Sequence, residues 1–440
     1  MGQAEAEARP RAQPAAALPS RHAWGMVLAL CTAFALSQAF RTIGAIMASP
    51  LQAEFGLSAQ ALGVFSGSFH FAFGAMQVFM GIGIDLHGVR RTVLTAFPLA
   101  FAGALLSALA PNFALLVAGQ VLIGIGCAPA FLVCTVFVAR HFPAARFASV
   151  SGLVLAIGGV GMLVTGTPLA WLVQAHSWRM GFAALALASV AAWLTIHRFV
   201  HEPPGRSEGE YRSAAARGFS SDPARPVNAA HAPRESVGAA MRQFGALFKL
   251  PHTLGILVLG SVTYAAFISL RGLWLGPLLI ARHGYSLVQS GNVALLVSVI
   301  SLVGSPVFGR IDRDGPVRRR RIVACSLVYA ALFAAIAVFS EAWVDIGGTV
   351  LIGLLSGFIV WQYADVRSAY PAAITGRAMA IFTMAMFLGV ALMQWVTGLA
   401  ASVAAAHGVE AYAAVLGTIA ALLLAATIAF AWLPKPKAPR

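Results

Sequence analysis

Twelve apolar stretches, each long enough to cross a bilayer as a helix, take up most of this 440-residue chain. A helix needs about 20 residues to span the hydrocarbon. The stretches fall at 24–47, 58–83, 92–110, 112–138, 147–174, 180–199, 252–280, 286–309, 322–340, 343–364, 378–404 and 410–433. Charged residues make up only 10% of the chain and mean hydropathy is +0.80. A soluble surface needs about 25% charged residues, so lipid must cover much of this one. Secreted disulfide scaffolds, disordered chains and cytosolic enzymes are excluded. A membrane β-barrel is excluded too, because its strands alternate over about 10 residues and these runs do not.

Two groups of six stretches are separated by 200–250, where Pro203, Pro204, Pro223, Pro226 and Pro233 stand among Arg, Ser and Glu. That segment reads as a solvated linker with one amphipathic stretch near 241–249. The division expected is a disordered cytosolic tail over 1–23, a six-helix bundle over 24–199, a linker over 200–250, a second bundle over 251–433 and a tail over 434–440. The first 23 residues lack the apolar core of a signal peptide. Cys31, Cys127, Cys134 and Cys325 all fall inside apolar stretches and read as packed thiols rather than disulfide partners or ligands.

A net charge of +15 would suit a nucleic-acid partner, but its placement argues against one. With the N-terminus in the cytosol, 26 of the 30 Lys and Arg residues fall in cytosolic loops and tails. Only Arg179 and Arg282 lie on the other side, and Arg41 and Arg271 lie within helices. This is the positive-inside asymmetry of a multi-pass protein, with both termini cytoplasmic. Alanine- and arginine-rich usage points to a GC-rich bacterium, hence its inner membrane.

The turn between the second and third stretches carries Gly81, Asp85, Gly88, Arg90 and Arg91. This resembles the signature loop of the major facilitator superfamily. A second copy, Asp312, Arg313 and Gly315 followed by Arg318 and Arg319, stands 227 positions later, where a two-fold internal repeat would place it. Its glycine, Gly309, is one residue too close to the Asp. The fifth stretch, with Gly158, Gly159, Gly161, Gly166 and Pro168, is similar to the glycine- and proline-rich fifth helix of that superfamily. The resemblance implies an all-α membrane protein of twelve transmembrane helices in two pseudo-symmetric six-helix bundles. It also implies that the two loops latch the cytosolic side; the alternative is that they are ordinary positive-inside anchors. Gln120 stands where the superfamily's proton-driven drug exporters carry an arginine, which argues against that subclass.

A charge in the bilayer costs at least about 2.5–3.5 kcal/mol, so Arg41 and Arg271 need a reason. They are 230 positions apart, on the first and seventh helices, which are equivalent under the repeat and line the central cavity in the superfamily. No carboxylate stands mid-membrane to neutralise them, and guanidinium forks suit carboxylate and phosphate. The pair resembles that of the superfamily's organophosphate and organic-anion antiporters. Two other readings stay open for each arginine: snorkelling to the interface, or bonding to backbone carbonyls. His70, within the second helix, is able to carry a proton, to bond substrate, or to tie a neighbouring helix. Gln38, Tyr264, Trp274, Asn292 and Gln362 complete the expected substrate site, with Tyr363 and Gln394 as further cavity candidates. Asp365 is expected to pair with Arg367 or with the loop between the fourth and fifth helices.

No nucleophile–base set, metal spacing or phosphate-cradling loop is present, so no enzyme, metal, cofactor or ATP use is expected. The expected function is alternating-access transport of a small organic or phosphate-bearing anion by a monomer. An exporter of hydrophobic or cationic compounds, with Phe40, Phe73, Trp274 and Trp361 lining an apolar cavity, is the alternative. A ligand sensor built on the same fold is a third reading.

Overall fold

The computed structural model describes residues 20–142, 144–201, 250–311, 316–370 and 372–434, with 245, 247 and 248 besides. Most of the expected linker and tails lies outside these residues. Among the described residues, twelve helices are long and apolar enough to cross a membrane. They are α1 (Arg21–Thr42), α2 (Ala59–Ile84), α3 (Leu86–Ala108), α4 (Phe113–His141), α5 (Ser149–Ala175), α6 (Trp178–Phe199), α7 (Thr253–His283), α8 (Leu287–Arg310), α9 (Val317–Val338), α10 (Ala342–Ala369), α11 (Ile374–Ala406) and α12 (Ala411–Trp432). With an even number of passes, α1 starts and α12 ends on one side, the terminal face. The other side is the opposite face.

The first stretch is not one helix. The chain turns at Ile43 and continues as a helix over Gly44–Phe55 that contains Pro50. The loop expected between the second and third stretches is also shorter than its sequence suggests. Helical backbone runs through it, broken by the non-helical geometry of Gly88 (φ 82°).

On the opposite face, side chains satisfy the free N–H groups at helix starts. Ser58, Asn112, Ser177 and Ser286 cap α2, α4, α6 and α8, and the Glu410 carboxylate caps α12. Gly56 and Gly284, with φ of 61° and 66°, end the helices before α2 and α8. Each stands two residues before a capping serine, so the internal repeat extends to these turns. Left-handed backbone at a helix end favours glycine, which has no Cβ to clash.

Each half buries its own apolar core. Phe65, Phe69, Phe97, Phe137 and Phe182 lie in the first, and Trp274, Tyr329, Phe333 and Phe358 in the second. The halves meet through glycines. A Cβ on Gly44 would lie 2.7 Å from the Gly272 carbonyl oxygen. One on Gly276 would overlap the Ala45 carbonyl, and one on Gly63 the Gln394 carbonyl. Small residues permit this backbone approach. The contacts of α2 with α11 run from Gln60 against Ser402 to Gly74 against Leu388. Thr167 Oγ1 donates to Asn292 Oδ1 at 2.6 Å, and Val288 N–H to Gln174 at 3.2 Å. The halves are therefore closed on each other along the opposite face.

Candidate functional site

Arg41 lies in the last turn of α1. Side chains on a helix lean toward its N-terminus, so Arg41 points back into the protein rather than out to the opposite face. It is only 7% exposed, which rules out snorkelling. Nη1 donates to the Tyr264 hydroxyl of α7 at 3.0 Å. The guanidinium lies over Phe387 of α11 and Phe73 of α2, 4.6 and 5.1 Å from the ring centroids. Those rings are 4.3 Å apart, one from each half. No carboxylate pairs with Arg41 among the described residues, and its Nε is buried without a hydrogen-bond partner.

Other buried polar atoms lack partners nearby. They are Ser37 Oγ and Gln38 Oε1 of α1, His70 Nε2 of α2 and both side-chain amide atoms of Gln394; Ser37 lies against Cys127 and Gln394 against His70, both outside good hydrogen-bond geometry. His70 is fully buried and its Nδ1 is 3.0 Å from the Ser66 carbonyl oxygen. Arg41 and Gln394 stand beside it. Tyr363 of α10 and Cys127 of α4 also lie in the field of Arg41. Buried polar groups normally find hydrogen bonds. A cluster of unpartnered ones around an unpaired cation is where a polar, anionic guest would be stabilised.

The two expected arginines hold different partners, although the Arg41 carbonyl lies against Gly272, next to Arg271. Arg271 is fully buried but shares no partner with Arg41. A π-helical turn over Leu270–Trp274 carries it. Its Nε donates to the Ala294 carbonyl (3.0 Å) and Ser298 Oγ (2.9 Å) of α8, and its Nη2 to the Met162 carbonyl of α5 (3.0 Å). Arg271 thus ties the two halves together through backbone carbonyls. One of the readings left open by the sequence is the geometry found.

Three other expected contacts lie elsewhere. Trp274 donates from Nε1 to Thr397 Oγ1 at 3.0 Å, inside the second half. Asn292 is exposed and holds Thr167 across the halves. Gln362 is engaged with Thr263, Nε2 to Oγ1 at 2.9 Å. Each hydrogen-bonding group had a protein partner that its own helix pattern could not reveal. Trp361, offered for an apolar cavity, donates to the Phe308 carbonyl at 2.8 Å.

On the terminal face, Arg90 caps the end of α6, donating from Nε to Val200 O at 2.6 Å and from Nη2 to His197 O at 3.2 Å. That is a tie within one half rather than a latch between halves. Arg91 is exposed and Gly81 faces Leu132. The Asp85 side chain and Asp312, Arg313 and Gly315 lie outside the described residues. Asp365 pairs with Arg319 at 3.4 Å, not with Arg367.

Sequence reasoning missed the opposite-face ion clusters and Phe387. Asp345 is fully buried, within 3.1 Å of Arg282 and 2.8 Å of His283. Arg282 also grips Glu410 at 2.6 Å. In the first half Glu54 pairs with Arg179 at 2.6 Å and accepts from Trp178 Nε1 at 2.5 Å. The signal for both was available: Arg179 and Arg282 are the lone basic residues on a face otherwise free of them. Phe387 gave no signal, since one more aromatic in an apolar helix does not stand out.

Residues 29–392 match the Major Facilitator Superfamily. A hexuronate transporter of Bacillus subtilis (strain 168) is 22% identical over 348 residues, covering 76% of each chain. Among solved structures, a D-xylose-proton symporter superposes with a TM-score of 0.71 at 16% identity, over 94% of this chain and 98% of that one. The nucleoside transporter NupG gives 0.69 at 15% identity, over 93% and 98%. An inward-facing, occupied bacterial homolog of the human lysosomal transporter Spinster gives 0.68 at 16%, over 92% and 94%. With that family matched along most of its length and its twelve-helix fold shared from end to end, the chain belongs to the Major Facilitator Superfamily of membrane transporters and is not an enzyme.

Proposed function

We propose that this transporter carries a small hydroxylated carboxylate, bound by Arg41, across a bacterial inner membrane by alternating access. The observation that carries the reading is the buried Arg41 guanidinium with no carboxylate partner, set among unpartnered amide, hydroxyl and imidazole atoms. An unpaired buried charge is costly, and a bound anion removes that cost. Among the described residues Arg41 has, of the two, the guanidinium with the fewer protein hydrogen bonds, which suits a monoanion; a phosphate dianion would want the fork of the second arginine, whose Nε and Nη2 are engaged with carbonyls and Ser298, leaving Nη1 alone. The hydroxyls of such a substrate would meet Gln38, His70 and Gln394. The hexuronate transporter relative supports the same substrate class. The closed opposite face supports a state that opens toward the terminal face, and the charge asymmetry supports a cytoplasmic terminal face.

The test is binding and counterflow of D-galacturonate in proteoliposomes, with D-xylose and a sugar phosphate as comparisons. Galacturonate is expected to bind and exchange while the other two do not. Arg41→Gln removes a charge-assisted bond worth about 1.5–3 kcal/mol, a fall in affinity of roughly 10- to 150-fold. Arg271→Lys is expected to lower thermal stability while altering affinity far less. Unchanged galacturonate affinity in Arg41→Gln would overturn the reading.

A further inference from the structure

His70 is built as a proton acceptor that its surroundings leave empty. A carbonyl oxygen only accepts, so the Nδ1 that faces Ser66 O at 3.0 Å carries the ring hydrogen. Nε2 is then a lone pair, fully buried, with the Gln394 amide of α11 beside it but outside good hydrogen-bond geometry. The ring is held by Phe69, edge-on at 5.0 Å, and by the Ser66 bond, so Nε2 has a fixed direction. The charged or titratable groups around it are Arg41 from α1, with Tyr264 of α7, Tyr363 of α10 and Cys127 of α4 clustered about Arg41. α11 contributes the neutral Gln394. None of these is a carboxylate. Asp345 and Asp365, the buried acids of the described spans, are paired with Arg282 and Arg319 at helix ends. Histidine alone among these side chains has an ordinary titration range between pH 5 and 8.

A second positive charge beside Arg41 in a dry site would be strongly repelled. A carboxylate seated on Arg41 cancels that repulsion, and an imidazolium can then form.

We infer that His70 Nε2 binds the proton that couples this transporter to its substrate: the ring gains a proton as the anion docks on Arg41 and loses it as the anion leaves. The proton comes from water on the side to which the site is open and returns to water on the other side. One N–H bond forms and later breaks, and no other group changes. Anion and proton then cross together, with histidine doing what carboxylates cannot do in a cluster that has none. The inference rests on the anion reading above.

The test is calorimetric titration of the purified protein with D-galacturonate, at one pH, in buffers of different ionisation heat. The heat is expected to vary with the buffer as uptake of about one proton per bound anion requires. His70→Asn keeps an N–H for the Ser66 carbonyl and removes only the titratable nitrogen. His70→Asn and His70→Gln are both expected to bind galacturonate more weakly, and the heat of that binding is expected to lose its dependence on the buffer. Galacturonate binding to the parent without proton uptake, or equal uptake in His70→Asn, overturns the inference and leaves the anion reading standing. No binding by the parent in any buffer overturns both.

Discussion

Asp345→Ala is expected to destabilise the protein by about 3–5 kcal/mol, the cost of stranding a buried charge. Arg282 has a side chain only 5% exposed and Asp345 one that is 0% exposed. Arg282 donates from Nη1 to both oxygens of Asp345 and to the Ile336 carbonyl at 2.9 Å, and from Nη2 to Glu410. Removing the Asp345 carboxylate leaves this guanidinium with fewer counter-charges and leaves His283 Nε2 unpartnered. Asp345→Asn, which keeps an acceptor without the charge, is expected to lose less. Arg282→Lys cannot reproduce a fork that reaches two carboxylates and a carbonyl, so it falls near Asp345→Ala. Thermal unfolding in detergent measures all three, and equal stability of parent and Asp345→Ala would dismiss the cluster as decoration.

The same clusters set an acid limit. Burial alone would push the Glu410 carboxyl up, but the Arg282 bonds and the N–H groups of Ala413 and Tyr412 outweigh it and hold it below the usual range. Trp178 holds Glu54 below its usual range, and Arg179 adds to the effect. A depressed folded value means stability that is present above the unfolded carboxylate range, about pH 4.3, and is lost as pH falls through the folded value. Both carboxylates are partly exposed, so the loss is gradual.

Gly276→Val is expected to hold the halves apart on the opposite face. A Cβ there overlaps the Ala45 carbonyl, which belongs to the helix of the other half, so neither core is disturbed. Overpacking of this kind costs about 1–3 kcal/mol. Set against the closed arrangement alone, that shifts the equilibrium between closed and open roughly 5- to 150-fold. The backbone N–H of Gln60 bonds Ser402 Oγ at 3.0 Å across the halves. A disulfide between Gln60→Cys and Ser402→Cys should therefore form readily in the parent background and poorly with Gly276→Val. Equal cross-linking would show that the contact yields without separating the halves. Gly161→Val is the comparison: its Cβ overlaps the Ala35 carbonyl within the first half, and the expected effect is loss of folded protein.

Most of the fold was legible because the bilayer imposes it. Each apolar run must satisfy its own backbone within hydrocarbon, so length and hydropathy determine helix number with little ambiguity. Eight of the twelve spans lie within four residues of the sequence boundaries at both ends, while the ninth begins and the tenth ends five residues beyond them. The first departs where Ile43 lets the helix turn and continue, and the third begins earlier than expected because helical backbone runs through the Gly88 turn. Arg41, Tyr264, His70, Gln38 and Gln394 stood out singly, since polar residues in apolar helices do, but nothing in the sequence set them apart from Arg271, Trp274, Asn292 and Gln362.

What the sequence could not decide was which polar atoms already had partners. Arg41 and Arg271 look equivalent along the chain, both inside apolar runs and without a nearby acid. The fold separates them: a π-helical turn delivers Arg271 to the carbonyls of Met162 and Ala294, while Arg41 meets only a phenol and two aromatic rings. Trp274, Asn292 and Gln362 were absorbed by Thr397, Thr167 and Thr263 in the same way. The linear chain by itself determined twelve helices, their grouping in two sixes and the presence of buried cations. Only the packing of helices far apart in sequence decided which cation is held by backbone carbonyls and which meets few polar partners, because a hydrogen bond is satisfied by distance and direction in space, and neither is encoded in spacing along one helix.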